Sequence, residues 1–154
     1  MSTPSTSSTG WQARCRAAGL IAPDSFWAAS EEEIGAIYNG CGPDTFNGWP
    51  RWFLRRIFGE DLADMAGRAM LTQFLRIFEP AFPPHDWEYN YSDHTEESWH
   101  AANERMLHNM GVLLEAAYPF AHVWAWPLRV RWYLRMRAAY RAVESDDGYQ
   151  AWLD

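Results

Sequence analysis

Apolar positions recur along this chain at the three- and four-residue spacing of helices, and no useful run alternates as a half-buried strand does. The spacing predicts a first short helix over 11–20, with Trp11, Cys15 and Ala18 on one stripe and Gly19 ending it. Ala22-Pro23-Asp24 reads as a turn. Ser30-Glu31-Glu32-Glu33 is a capping box, in which Ser30 caps and Glu33 reaches back, so a helix runs from there to about Tyr38. Residues 39–50 form a Gly/Pro-rich loop. A helix restarts after Pro50 on the apolar face of Trp52, Phe53 and Ile57, and Gly59 breaks it. An amphipathic helix follows over 60–78, with Leu62, Met65, Ala66, Ala69, Met70, Gln73 and Ile77 at helical spacing.

Glu79-Pro80 closes that helix, and a proline-rich turn leads into a helix opened by His85 and Asp86. Pro84 costs nothing in a first turn, where its missing N–H would have had no partner. Caps between Asp93 and Thr95 start a long helix whose stripe is Trp99, Ala102, Met106, Met110 and Leu113; Tyr118-Pro119 ends it. The last helix begins near Pro127, with Leu128, Trp132, Met136, Ala139 and Val143 facing inward. Asp146-Asp147-Gly148 stops it, leaving 149–154 as an aromatic tail. The expectation is an all-α, compact single-domain bundle of about six helices with one Gly/Pro-rich loop. Residues 1–10, all Ser, Thr, Pro and Gly after the initial Met, form a disordered arm, and 11–154 form the domain.

Composition narrows the function classes. The chain has 154 residues, enough to bury roughly two thirds of its unfolded surface as one domain. Its net charge of −7 argues against nucleic-acid partners, which need a basic field. The two cysteines, Cys15 and Cys41, make neither a disulfide framework nor a zinc site. His94, His100 and His108 are not at ligand spacing with one another. No stretch reaches the roughly 20 apolar residues of a membrane span, and no secretory signal opens the chain, so the default location is cytoplasmic.

The residues with chemistry to offer lie around His85. A neutral histidine is the usual base for taking a proton from water near neutral pH. Asp86 cannot orient that same ring, because helix neighbours diverge by about 100°. A hard cation is the natural task for it, and calcium takes carboxylate together with backbone carbonyl oxygens. The Gly-rich segment 39–42 can aim several carbonyls at one point. Tyr89 stands one turn above His85 on the same face.

Taken together, Asn39-Gly40-Cys41-Gly42-Pro43, Pro80-Ala81, His85-Asp86-Trp87 with Tyr89, and Ala102-Asn103 resemble the phospholipase A2 pattern of a calcium loop followed by a His-Asp helix. Across about 35–154 the chain is similar to small bacterial and prophage-encoded proteins with that pattern, including the ending Ala139-Tyr140-Arg141-Ala142-Val143 and Gly148-Tyr149. The resemblance implies a calcium-dependent ester hydrolase acting on phospholipid at a membrane surface. It would make His85 the base, with Tyr89 and Asn103 supporting it. Asp86 and the carbonyls at Asn39, Cys41 and Gly42 would be the calcium ligands. Three features depart from the pattern. Phe82 stands where the family has a cysteine, the 60–78 helix lengthens the connection between loop and His-Asp helix, and Asn103 replaces an orienting aspartate. The alternative is therefore a noncatalytic accessory or virion-associated protein that keeps the fold, with a phage particle or host protein as partner. A further option concerns the Arg- and Trp-rich helix near Pro127, which either lies on a membrane surface or packs in the core with a solvated arginine face.

Overall fold

The computed structural model of the protein describes residues 10–38, 51–59 and 65–154. Among them are nine α-helices and no strand. The helices are α1 (Trp11–Ala17), α2 (Asp24–Ala28), α3 (Glu31–Ile37), α4 (Arg51–Phe58), α5 (Met65–Phe78), α6 (Phe82–Tyr91), α7 (Glu96–Ala117), α8 (Trp126–Val143) and α9 (Asp146–Leu153). The all-α expectation holds. The elements beyond the expected six include two short helices, α2 and α9, at places read as a turn and a tail. The disordered-arm expectation falls on 1–9, outside the described residues, apart from Gly10.

The 22-residue α7 is the axis of the bundle, with α5, α6 and α8 packed against it and α4 against α8. Its buried stripe contains Trp99, Ala102, Met106, Met110 and Leu113 as the spacing predicts, and adds Asn103, Asn109 and Leu114. Asn109 is a buried amide bonded through both its oxygen and its nitrogen. Its Oδ1 accepts from the Ile21 N–H at 2.9 Å and its Nδ2 donates to the Ile21 carbonyl at 2.8 Å, which ties the α1–α2 connection to the core. The capping box at α3 forms as expected, with the Ser30 N–H donating to Glu33 and the Glu33 N–H to Ser30 Oγ. Glu31 does a second job: its carboxylate accepts the Trp11 and Gln12 N–H groups, each at 2.8 Å, and so caps α1 from across the fold. Cys15 is fully buried and its thiol donates to the Pro80 carbonyl at 3.3 Å; burial pushes its pKa up to about 12, an inert thiol.

Two expectations are corrected here. In α5 the core-facing residues are Leu71, Phe74, Leu75, Ile77 and Phe78, whereas Ala69 is exposed and Met70 and Gln73 are only half-buried. The segment is apolar on most of its faces, and the two phenylalanines bury more area than Ala69 and Met70, so they take the inside. The tail is a helix as well. Ser145 Oγ accepts the Gly148 N–H, and Asp146 and Asp147 occupy a first turn, where carboxylates suit the helix dipole. Gly148 lets α9 fold back on the end of α8, because a Cβ there would stand 2.2 Å from the Val143 carbonyl oxygen. Gly148→Ala is expected to lose about 1–3 kcal/mol through this overlap, read as a lowered midpoint in thermal denaturation; an unchanged midpoint would show that α9 does not sit where described.

Candidate functional site

The site is assembled where the start of α6, the N-terminal half of α7 and the junction of α8 with α9 meet. A 3-10 turn over Glu79–Ala81 joins α5 to α6, and Pro83 and Pro84 occupy the first turn of α6, as the sequence predicts. That puts His85 one turn into a stable helix, with Tyr89 directly above it and the two rings 4.5 Å apart between centroids. Thr95 caps α7 by accepting the Ser98 N–H, so Trp99 and Asn103 follow one turn apart on the face turned to α6. Val143 and Glu144 end α8. On the far side, the α9 residue Trp152 meets the Tyr89 ring edge-on at 4.7 Å.

Asn103 is the centre of this arrangement and is fully buried. Its Nδ2 donates to Glu144 Oε1 at 2.8 Å and to the Val143 carbonyl at 3.4 Å. Both partners are acceptors only, so the amide cannot be the other way round. Oδ1 therefore faces α6, where it accepts from His85 Nε2 at 2.9 Å and from the Tyr89 hydroxyl at 3.3 Å. All four hydrogen-bonding positions of the side chain are filled, as a buried amide requires. The Tyr89 oxygen in turn accepts from Trp99 Nε1 at 3.2 Å, and burial pushes the Tyr89 pKa up, which keeps the phenol a neutral donor. Glu144 Oε2 accepts from His100 Nδ1 at 2.8 Å.

This chain of donors fixes the state of the His85 ring. Because Asn103 Oδ1 can only accept, Nε2 carries the proton, and in the neutral ring Nδ1 holds the lone pair. Nδ1 has no hydrogen-bond partner among the described residues. Asp86 Oδ1 lies 3.6 Å from it, beyond hydrogen-bond length and close enough to attract an imidazolium. Asp86 and Tyr89 also line a cavity of about 340 Å³, with Ile37, Asn90, His94, Ala151 and Asp154 completing the wall. His94 there holds a left-handed φ of 55°, fixed by its ring Nδ1 donating to the Trp152 carbonyl at 2.6 Å.

The sequence-predicted residues thus fall into two groups. His85, Tyr89 and Asn103 are brought together as expected, and Asp86 stands beside them at the cavity. Asn39, Cys41 and Gly42 lie outside the described residues. Among the described residues no group of three or more His, Cys, Asp and Glu side chains is placed to hold a metal ion. Asp86 and Asp154 are the carboxylate residues on the cavity wall; in a calcium shell, carbonyl oxygens would complete such ligands. Glu144, Trp99 and His100 belong to the site without having been predicted. The Trp99–Tyr89 pair carries no local signal, and Glu144 falls between the last stripe residue, Val143, and the Asp146-Asp147-Gly148 stop, with no role read for it.

Comparisons with protein-family models, with curated proteins and with solved structures return no match.

Proposed function

We propose that the protein is a phospholipase A2-like, calcium-dependent ester hydrolase in which His85 activates water. The observation that carries this reading is the hydrogen bond from His85 Nε2 to an Asn103 oxygen locked by Glu144. It leaves the Nδ1 lone pair without a hydrogen-bond partner among the described residues, 3.6 Å from Asp86, which lines a cavity of about 340 Å³. A water held at Nδ1 would lose its proton to the ring as its oxygen adds to the ester carbonyl carbon. The imidazolium so formed keeps its Nε2–H bond to Asn103 and gains the nearby Asp86 charge. On collapse of the tetrahedral adduct, the Nδ1 proton passes to the departing alkoxide, and the ring returns to its starting state. Calcium held by Asp86 and the 39–42 carbonyls would polarise the ester carbonyl.

A noncatalytic, particle-associated protein is the second reading. It draws on the near-complete burial of His85, 5% exposed, and on the uncharged Asn103 beneath it. Fatty-acid release from phospholipid micelles decides between the two. Release that requires calcium, stops with chelator and falls at least a hundredfold in Asp86→Asn is the expected result. No release with calcium present, or release indifferent to chelator and to Asp86→Asn, would overturn the hydrolase reading.

A further inference from the structure

Helix α8 has two apolar faces. Trp132, Met136, Ala139 and Val143 make the buried one. Advancing 100° per residue places Pro127, Val130 and Leu134 on the opposite side, where they are exposed among the described residues: Val130 is 56% and Leu134 61% exposed. At its N-terminal end this outer stripe runs into Phe120, Val123 and Trp124, with Trp124 75% exposed. Leu128, predicted to face the core, is exposed in the same first turn. A solvated helix face does not ordinarily carry a patch of this kind.

The charges on the same face are of one sign. Arg131 and Arg137 flank the stripe and Arg141 stands at its C-terminal end, and between Trp126 and Val143 there is no Asp or Glu. Arg129 is engaged by Glu115 at 2.6 Å, and Arg135 donates to the Ile57 carbonyl. Arg131, Arg137 and Arg141 make no ion pair among the described residues. Arg131 lies over the Trp132 ring and Arg137 over the Tyr140 ring. Three guanidinium groups with no carboxylate partner among the described residues, bordering an apolar stripe with aromatic rings at one end, form the pattern of a helix lying in a lipid interface. The stripe would enter the acyl boundary, the rings would sit at headgroup level, and the arginines would extend to anionic headgroups.

We propose that the outer face of α8 docks the protein on an anionic lipid surface. A second copy of the chain is a poorer occupant, because a two-fold contact through this face would press arginines against arginines in a desolvated interface. The net charge of −7 does not oppose docking, since charges on the far side are screened beyond about 8 Å at physiological salt. Glu144 and the His85 network lie at the other end of α8, so the docking surface is separate from the proposed hydrolytic site and does not depend on it.

The test is co-sedimentation with vesicles of ether-linked phosphatidylglycerol and phosphatidylcholine, compared with ether-linked phosphatidylcholine alone. The ether linkage removes any ester hydrolysis from the readout. The expected result is binding to the phosphatidylglycerol vesicles that weakens with added salt. It should fall about fivefold for each of Arg131→Gln, Arg137→Gln and Arg141→Gln, the equivalent of about 1 kcal/mol per basic residue at an anionic surface. Leu134→Glu should abolish it. Arg131, Leu134 and Arg141 are exposed and Arg137 is half-buried, and unchanged circular dichroism would show that the variants fold. The proposal is overturned if neither vesicle sediments the protein, if the triple arginine variant binds as well as the wild type, if poly-glutamate binds and vesicles do not, or if the lipid-free protein is a dimer that Leu134→Glu dissociates.

Discussion

His85→Gln is expected to lower ester hydrolysis by about 10²–10⁴-fold, the usual contribution of a positioned general base, while the protein keeps its melting temperature to within a few degrees. The glutamine amide can still donate to Asn103 Oδ1 in place of Nε2–H, which now spans 2.9 Å, so the buried acceptor is not left empty. What the substitution removes is the Nδ1 lone pair. Rates of fatty-acid release, measured beside thermal denaturation of the same preparation, separate the two effects. A variant that hydrolyses as fast as the wild type would place the base elsewhere.

Exchanging the charge between Asn103 and Glu144 should have the next largest effect. Asn103→Asp alone sets a second carboxylate where Nδ2 now lies 2.8 Å from Glu144 Oε1. Two carboxylates at that distance cannot both be ionised, and a buried acceptor is left without its donor. A loss of about 1–3 kcal/mol in stability is expected. Adding Glu144→Gln supplies a donor to the new aspartate and should recover most of that stability. In the double variant a carboxylate takes the place of the amide oxygen that now accepts from His85 Nε2, which favours the imidazolium formed during proton transfer, and hydrolysis at least as fast as the wild type is expected. Melting temperatures and hydrolysis rates of the four proteins of the cycle test this; a double variant no more stable than Asn103→Asp would mean that Glu144 does not hold the amide.

The role of Glu144 also explains how an asparagine can stand where the resemblance expects an aspartate. In serine proteases the equivalent exchange costs about 10⁴ in rate, because the amide presents the wrong group and selects the wrong tautomer. Here the amide N–H bonds are committed to Glu144 and Val143, so only the oxygen reaches His85. The negative charge is still present, one hydrogen bond further from the ring.

Much of this was legible in the sequence because it was local. The His85–Tyr89 ring contact follows from a four-residue helical spacing, the α6 start from its prolines, and the α3 cap from Ser30 and Glu33. Asn103 is not on the apolar stripe that the spacing predicts and is named only through the resemblance, by the Ala102-Asn103 match. Glu144 was not legible: it is 41 residues from Asn103, and no local pattern pairs a helix-end acid with a buried amide. The α9 helix was missed because Asp-Asp-Gly reads equally as a stop and as the first turn after a Ser145 cap. The register of α5 was misread for a different reason, since periodicity cannot choose an inner face where apolar residues occur on most sides.

The most direct measurement is the protonation state of the two His85 ring nitrogens, by nitrogen-15 NMR of histidine-labelled protein at neutral pH, with the signals assigned by their loss in His85→Gln. The expected result is a pyrrole-like, protonated Nε2 and a pyridine-like Nδ1, with the pattern lost or mixed in Asn103→Leu. A protonated Nδ1 with a bare Nε2 would contradict the hydrogen-bond chain from Glu144 through Asn103, and with it the assignment of His85 as the base.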